Sequence, residues 1–205
     1  MNFPNALTLF RIFLVPLLVV IILTRFEQRE ILGVTGFLVA AATDWLDGFL
    51  ARRWRQITLF GKLIDPIADK ILIAAAFIAL IQTGAAEAWM VILIVGREFA
   101  VDGLRLVAQA QNVTIPASRL GKYKTIAQIV CIVLLILDQK IQHLAVWVSG
   151  LLQNPEPAPW FLTLFLISGK MMLWIVMVIA LFSGIDYFHR FYRKIDLAAA
   201  VRGRG

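Results

Sequence analysis

Apolar residues dominate six long stretches of the chain, and charged residues, Gly or Pro gather where these stretches end. A helix needs about 20 predominantly apolar residues to cross the hydrocarbon core of a bilayer, and each stretch reaches or approaches that length. The six stretches are residues 6–25, 31–53, 59–82, 87–109, 121–138 and 160–187. The pattern therefore predicts an all-α integral membrane protein with six transmembrane helices.

A further apolar stretch, residues 141–152, is too short to cross a bilayer, and prolines follow it. We interpret it as a helix or loop that lies on the membrane surface. No linker, low-complexity tract or repeat divides the chain, so the sequence favours a single membrane-embedded domain over residues 1–205. Its ends are a short interfacial segment, about residues 1–10, and a basic tail, about residues 188–205.

The overall composition agrees with a membrane protein. Of the 205 residues, 60% are hydrophobic and 16% are charged, and the mean hydropathy is +0.83. One soluble core cannot bury that much apolar surface, which excludes a soluble globular protein. The single cysteine, Cys131, excludes an intramolecular disulfide framework.

Lysine and arginine fall mostly on one side of the predicted membrane, the side that carries both termini if there are six spans. That side carries Arg52, Arg53, Arg55, Arg119, Lys122, Lys124, Arg190, Arg193, Lys194, Arg202 and Arg204. The opposite side carries Arg25, Arg29 and Lys140. Because cytoplasmic loops are enriched in Lys and Arg, both termini are predicted to be cytoplasmic. The net charge of +7 then favours anionic lipid headgroups, rather than nucleic acid, as the counter-charge.

Four aspartates lie at the cytoplasmic ends of the second and third predicted spans. Asp44 and Asp47 are three residues apart and Asp65 and Asp69 are four apart, so each pair shares one helix face. Carboxylates at the edge of a membrane need cations nearby, and carboxylate oxygens select hard ions such as Mg²⁺ or Mn²⁺. Small residues beside them let a bulky group approach, and Arg52 offers a charged fork for phosphate. The cluster therefore predicts phosphoryl transfer assisted by two metal ions.

These residues resemble the signature of the CDP-alcohol phosphotransferase family. The complete spacing D-x-x-D-G-x-x-A-R-x8-G-x-x-x-D-x-x-x-D runs from Asp44 to Asp69. The resemblance implies a six-helix enzyme of the bacterial cytoplasmic (inner) membrane with a polar cavity open to the cytoplasm. Members move a phosphatidyl unit from CDP-diacylglycerol to an alcohol and release CMP. The likeness also implies a homodimer.

The resemblance assigns roles to individual residues. Asp44, Asp47 and Asp65 would hold two Mg²⁺ or Mn²⁺ ions, and Asp69 would be both a ligand and the general base for the acceptor hydroxyl. The cytidine diphosphate site would be lined by small residues and one arginine: Gly48, Ala51, Arg52 and Gly61. Two residues near the N-terminus, Asn5 and Thr8, have two interpretations, namely contacts with the CDP group or a helix start and interfacial anchor.

Further matches extend the resemblance to the branch of the family that uses glycerol 3-phosphate as acceptor. They are Pro4 to Arg11, Gly96-Arg97-Glu98 with Gly103-Leu104-Arg105, and Ser118 to Thr125. A phosphate-bearing acceptor needs several fixed cations. The predicted acceptor site consists of Arg97, Arg105, Ser118, Arg119, Lys122 and Lys124. The alternative is that the basic members are ordinary cytoplasmic-side residues that bind lipid headgroups.

Charged residues inside a predicted span need partners, because an unpaired charge is expensive there. Arg97 lies in mid-span, and we expect it to face the cavity and to pair with Glu98 or with an aspartate of the cluster. Asp102 is expected to pair with Arg105 or Arg97. Two charged residues of the sixth span are expected to pair with another helix: Lys170 and Asp186.

Other functions fit part of the pattern. A divalent-cation transporter would place carboxylates through the depth of the bundle, and a scaffold that only binds anionic lipid would leave the ordered aspartates unexplained. Within the family, the alternatives are cardiolipin-, serine- or inositol-phosphate-type acceptors. The grouping of the aspartates at one membrane face, beside small residues and phosphate-type cations, favours the enzyme.

Overall fold

The computed structural model describes the backbone of residues 3–53, 59–110, 119–151 and 160–202. Side chains are described for residues 6–43, 46, 53, 64, 67–110, 124–141 and 168–194. Within these stretches the chain forms six α-helices and no β-strand. They are α1 (Phe3–Leu23), α2 (Arg29–Arg53), α3 (Leu59–Gln82), α4 (Ala88–Ala110), α5 (Arg119–Leu151) and α6 (Trp160–Arg202). The prediction of an all-α protein is confirmed.

The helices follow the predicted stretches, with a difference at α5. This helix runs without a break to Leu151, so the prediction of a separate segment over residues 141–152 was wrong. No glycine or proline lies between Gly121 and Gly150, and nothing therefore interrupts the helical hydrogen bonding. α6 likewise continues to Arg202, which makes most of the predicted basic tail helical.

A glycine ends α3. Gly84 has a φ of +77°, in the left-handed region that side chains with a Cβ disfavour. The amide of Ala85 donates to the carbonyl of Leu80 (2.9 Å), and the amide of Gly84 donates to the carbonyl of Ile81 (2.9 Å). This pair of bonds is a Schellman motif, and it turns the chain towards the start of α4 at Ala88.

Two of the described helices contain a segment long and apolar enough to cross a membrane, namely Ala6–Leu23 in α1 and Ser168–Lys194 in α6. Their outward faces carry large apolar side chains such as Phe13 and Phe182, which are 76% and 68% exposed. Exposed apolar side chains of this size are typical of a surface that lipid covers.

The chain packs as two compact units, and each is described by itself. The first unit combines Met1–Glu87 with Ile132–Lys170. Within it α1 packs against both α2 and α3, which also contact each other. The buried side chains recur every three or four residues along each helix, as expected for one packed face. They include Leu18, Ile22, Phe37, Ala40, Leu72, Ala76, Phe77, Leu80, Ile132 and Leu135.

The second unit combines Ala88–Cys131 with Met171–Gly205. The buried face of α4 consists of Met90, Val91, Ile94, Glu98, Val101 and Ala108. Trp89 at the start of α4 packs edge-on against Trp174 of α6, with ring centroids 5.4 Å apart. The interior of this unit also contains buried polar side chains from all three of its helices: Glu98, Lys124, Gln128 and Ser183.

Candidate active site

The four signature aspartates lie on α2 and α3 of the first unit. The α2 backbone is helical through Asp44 and Asp47, and that of α3 through Asp65 and Asp69, so the predicted one-face register of each pair is present. Five residues separate the end of α2 from the start of α3, which keeps these helix ends within roughly 20 Å of each other. The two aspartate pairs therefore lie on the parts of α2 and α3 that lead into and out of this short connection.

Of these four side chains, the structure describes that of Asp69, which is half-buried. The side chains of Asp44, Asp47 and Asp65 lie outside the described residues. Among the described side chains, no group of three or more His, Cys, Asp or Glu is close enough to hold a metal ion. The described features of the predicted metal site are the helix register of its aspartates and their carboxylate chemistry. Two carboxylate pairs with this register fit hard divalent ions, which bind to oxygen.

The predicted CDP-site residues lie on the same helices. Gly48, Ala51 and Arg52 are in the last turns of α2 and Gly61 is in the first turn of α3, and their side chains lie outside the described set. Asn5 lies in the first turn of α1, and its side chain is likewise not described. Thr8 and Arg11 are the polar residues between Pro4 and Arg11 whose side chains the structure describes.

Arg11 of α1 places a positive charge beside the aspartate end of α2. Its side chain is fully buried, and its Nε lies 3.5 Å from Oγ1 of Thr43, the residue before Asp44. Thr8 lies one turn earlier on α1 and is also buried. A buried guanidinium needs polar or charged partners, and the Thr43 hydroxyl is one such group beside Arg11.

In the second unit, Glu98 of α4 is the centre of a buried polar network. Its Oε1 accepts a hydrogen bond from Nε2 of Gln128 (2.8 Å) and forms an ion pair with Nζ of Lys124. Glu98 and Lys124 are only 9% and 8% exposed. Lys124, predicted as a phosphate ligand, is therefore held by a carboxylate of its own unit.

Arg97 contacts Ser183 rather than Glu98, one of its two predicted partners, while its pairing with an aspartate of the cluster stays a prediction. Its Nη2 donates a hydrogen bond to Oγ of Ser183 on α6 (2.6 Å), and its Nε is buried without a hydrogen-bond partner among the described residues. The predicted Arg97–Glu98 pair does not form between these two described side chains. Neighbouring residues point to different faces of a helix, so Glu98 turns towards α5 while Arg97 turns towards α6.

Four residues of the predicted acceptor site remain: Arg105, Ser118, Arg119 and Lys122. Arg105 is exposed, and its Nη1 lies 3.8 Å from Oδ1 of Asp102 one turn earlier, which confirms the expected Asp102–Arg105 pair. Arg119 and Lys122 lie in the first turn of α5, with side chains outside the described set. Ser118 falls outside the described backbone. Arg97 and Asp102 both lie near enough to Lys124 to interact with it electrostatically.

Two charged residues of α6, Asp186 and Lys170, lie close to residues of opposite charge. Asp186 was expected to pair with another helix, but it binds Arg190 one turn along α6 through two contacts of 3.0 and 2.9 Å. The reason is the i, i+4 spacing, which brings the two side chains together on one face. Lys170 lies near Asp138 of α5, a buried carboxylate that accepts a hydrogen bond from the backbone of Gly169.

A family model described as CDP-alcohol phosphatidyltransferase matches residues 1–154. The chain belongs to this family.

Curated bacterial members of the CDP-alcohol phosphatidyltransferase family share much of the sequence, and they carry the name CDP-diacylglycerol--glycerol-3-phosphate 3-phosphatidyltransferase. The protein from Bacillus subtilis is 41% identical over 168 residues, which cover 72% of this chain and 87% of the relative. That from Rickettsia typhi is 34% identical over 187 residues, 91% of this chain and 95% of the relative. That from Salmonella choleraesuis is 40% identical over 141 residues, 66% of this chain and 76% of the relative.

The family match includes every predicted site residue of the chain, but it ends before α6. Three polar residues at the two sites were missed as site residues by sequence reasoning: Arg11, Gln128 and Ser183. Arg11 had a usable signal, since it is a lone charge in an apolar stretch. Gln128 and Ser183 are single neutral polar residues in apolar helices, and only their contacts in the folded chain identify them as candidate site residues.

Proposed function

We propose that the protein is a phosphatidylglycerophosphate synthase, which transfers the phosphatidyl group from CDP-diacylglycerol to glycerol 3-phosphate and releases CMP. The observation that carries this proposal is the family membership together with relatives that are named for this activity. One of them aligns over 91% of this chain and 95% of its own length. These relatives favour glycerol 3-phosphate over the other acceptors of the family and favour an enzyme over a cation transporter.

The donor site would be formed by the aspartate ends of α2 and α3. Asp44, Asp47, Asp65 and Asp69 would hold two Mg²⁺ or Mn²⁺ ions, in agreement with their helix register. When bound, such ions neutralise the diphosphate and stabilise the developing charge on the leaving CMP. The small residues Gly48, Ala51 and Gly61 would leave room for the cytidine diphosphate, and Arg52 would contact its phosphates.

Asp69 would act as the general base. The acceptor hydroxyl is a weak acid, and it must lose its proton as its oxygen attacks the β-phosphorus of the donor. The carboxylate of Asp69 would accept this proton, since it lies one turn beyond Asp65 on the same helix face and is half-buried. The bond between the β-phosphorus and the bridging oxygen breaks, and that oxygen leaves with CMP.

The acceptor phosphate would be bound by basic residues of the second unit. Arg97 supports this assignment, because its guanidinium forms no ion pair with the described carboxylates and is partly fixed by Ser183. Lys124 would contribute a charge held in place by Glu98. Arg105, Ser118, Arg119 and Lys122 complete the proposed set.

The same proposal includes six transmembrane spans, cytoplasmic termini, an active site open to the cytoplasm and a homodimer in the bacterial inner membrane. The Lys/Arg distribution supports this orientation. Single cysteines introduced as Arg25→Cys and Arg193→Cys, in a Cys131→Ala background, test it. A membrane-impermeant maleimide applied to intact spheroplasts should label the first and not the second; the reverse pattern would contradict the orientation.

The activity itself is tested with the purified protein, CDP-diacylglycerol and a panel of acceptors, by following CMP release. The proposal expects release that depends on glycerol 3-phosphate and on a divalent ion. Equal release with glycerol, serine, inositol phosphate or phosphatidylglycerol would reject the proposed acceptor.

A further inference from the structure

The side chain of Arg97 lies against a small depression in α6 formed by Ser183 and Gly184, here called the arginine notch. Nη2 of Arg97 donates to Oγ of Ser183 at 2.6 Å, and both residues belong to the second unit. Ser183 is only 2% exposed, so this hydrogen bond is shielded from solvent. α6 lies beyond the part of the chain that the family model matches.

Gly184 forms the second half of the notch. A Cβ built at this position would lie 3.0 Å from Cγ and 3.5 Å from Nε of Arg97. A contact of 3.0 Å is tighter than most real Cβ contacts, so a side chain at position 184 would require the Arg97 stem to shift by a few tenths of an ångström. The glycine therefore matters for close approach, since it lets the aliphatic part of Arg97 lie directly on the helix backbone.

The notch holds the arginine through a neutral partner, and Glu98 and Asp102 attract the guanidinium electrostatically without forming an ion pair with it. A serine hydroxyl is a neutral partner, and Glu98, the adjacent carboxylate, is engaged by Lys124 and Gln128 instead. Nε of Arg97 is buried and has no hydrogen-bond partner among the described residues. A guanidinium that is oriented, partly desolvated and not ion-paired with a described carboxylate is suited to bind an anion.

We propose that Ser183 and Gly184 are positioning residues that hold the Arg97 guanidinium in the orientation needed to bind the phosphate of the acceptor. This inference rests on the proposed function, because it takes Arg97 as an acceptor-phosphate ligand. It adds a contribution from α6 to acceptor recognition. Neither residue needs to touch the substrate, and both act through Arg97.

The test measures KM for each substrate with the purified full-length protein. Ser183→Ala should raise the KM for glycerol 3-phosphate by about 10- to 100-fold, the scale of one lost hydrogen bond to a charged group. Gly184→Ala displaces the arginine stem without removing that bond, so it should raise the same KM by a smaller factor. The KM for CDP-diacylglycerol should change by less than about twofold. Ser183→Thr keeps the hydroxyl and should restore a KM near that of the wild type. Ser183→Ala should add nothing in an Arg97→Lys background, because the notch acts through the guanidinium.

Two variants in α2 serve as matched controls. Thr35→Ala removes an exposed hydroxyl that bonds to the Ile31 carbonyl of its own helix, and Gly36→Ala adds a methyl at an ordinary 3.5 Å from Leu18. Both should leave both KM values unchanged. The unfolding temperature of Gly184→Ala is measured beside its KM values, because helix propensity favours alanine whereas the 3.0 Å contact with Arg97 opposes it. A similar rise in both KM values together with a lower unfolding temperature would show a merely structural role and overturn the proposal.

A binding measurement separates this inference from the proposed function. Inorganic phosphate should raise the unfolding temperature of the wild type more than chloride of equal ionic strength does, and Ser183→Ala should reduce that difference. No difference between the two proteins, or an unchanged KM for glycerol 3-phosphate in both notch variants, would overturn the notch. A wild type that releases no CMP with glycerol 3-phosphate would overturn the proposed function, and phosphate binding would then decide the notch by itself.

Discussion

Replacing Glu98 with alanine should strongly destabilise the second unit. The change removes the carboxylate that pairs with Lys124 and that accepts the hydrogen bond from Gln128. Both members of the ion pair are more than nine-tenths buried, so water cannot readily replace the lost partner. The ammonium of Lys124 would be left as an uncompensated buried charge.

The size of the effect follows from this burial. Removing one partner of a buried ion pair costs about 3–5 kcal/mol. For a protein of this length, 1 kcal/mol shifts the unfolding temperature by roughly 2–4 °C, so Glu98→Ala should lower it by about 6–20 °C. An exposed ion pair is worth about 0–1 kcal/mol. Asp186→Ala, which breaks the partly exposed pair with Arg190, is therefore the matched control, with an expected shift of less than about 4 °C.

Thermal unfolding of the purified protein in detergent, followed by tryptophan fluorescence, measures these shifts. The double variant Glu98→Gln with Lys124→Met keeps an acceptor for Gln128 and removes both charges, so it should recover much of the loss. If Glu98→Ala unfolds within about 2 °C of the wild type, the buried pair does not stabilise the unit as described. If the double variant is as unstable as Glu98→Ala, the lost charge pairing is not the cause.

Three further predictions concern the proposed catalytic site and the helix ends. Asp69→Asn should lower kcat by about 10²- to 10⁴-fold, the usual contribution of a general base, while the control Asp186→Asn should leave kcat unchanged. Steady-state CMP release measures both variants. Near-normal turnover of Asp69→Asn would reject its assignment as the base. Chelation of divalent ions by EDTA should abolish CMP release and added Mg²⁺ or Mn²⁺ should restore it, whereas persistent activity in EDTA would exclude the proposed metal role. Gly84→Ala should destabilise the fold by about 1 kcal/mol, because its φ of +77° disfavours a Cβ; an unchanged unfolding temperature would contradict that account of the α3 end.

Local sequence patterns predicted the helices and the register of the aspartates, because both depend on residues three or four positions apart. The same rule explains the Asp102–Arg105 pair, which the sequence also suggested. The end of α5 was predicted too early because a polar group, Asp138-Gln139-Lys140, follows the apolar stretch. Gln139 instead bonds to Thr83 (3.1 Å) and to Arg29 (3.2 Å), which lie far away in the sequence, and the helix continues past it.

The partners of the buried charges could not be predicted, because they depend on tertiary contacts. Arg97 and Ser183 are 86 positions apart, and nothing in the local sequence of either residue indicates the other. Arg97 and Glu98, one of the two pairings predicted for Arg97, do not bond because adjacent residues on a helix do not face each other. Glu98 then needed a partner from another helix, and Lys124 and Gln128, four residues apart on α5, provide it on one face.

The central claim is that the chain joins the phosphatidyl group of CDP-diacylglycerol to glycerol 3-phosphate. The most direct test supplies the purified protein with CDP-diacylglycerol and radiolabelled glycerol 3-phosphate, and measures both CMP and the label that enters the lipid phase. The account predicts equal molar amounts of CMP and lipid-phase label, and neither product when Asp44 is changed to Asn. CMP without label in lipid would indicate hydrolysis of the donor and would contradict the account, as would full activity in the Asp44→Asn protein.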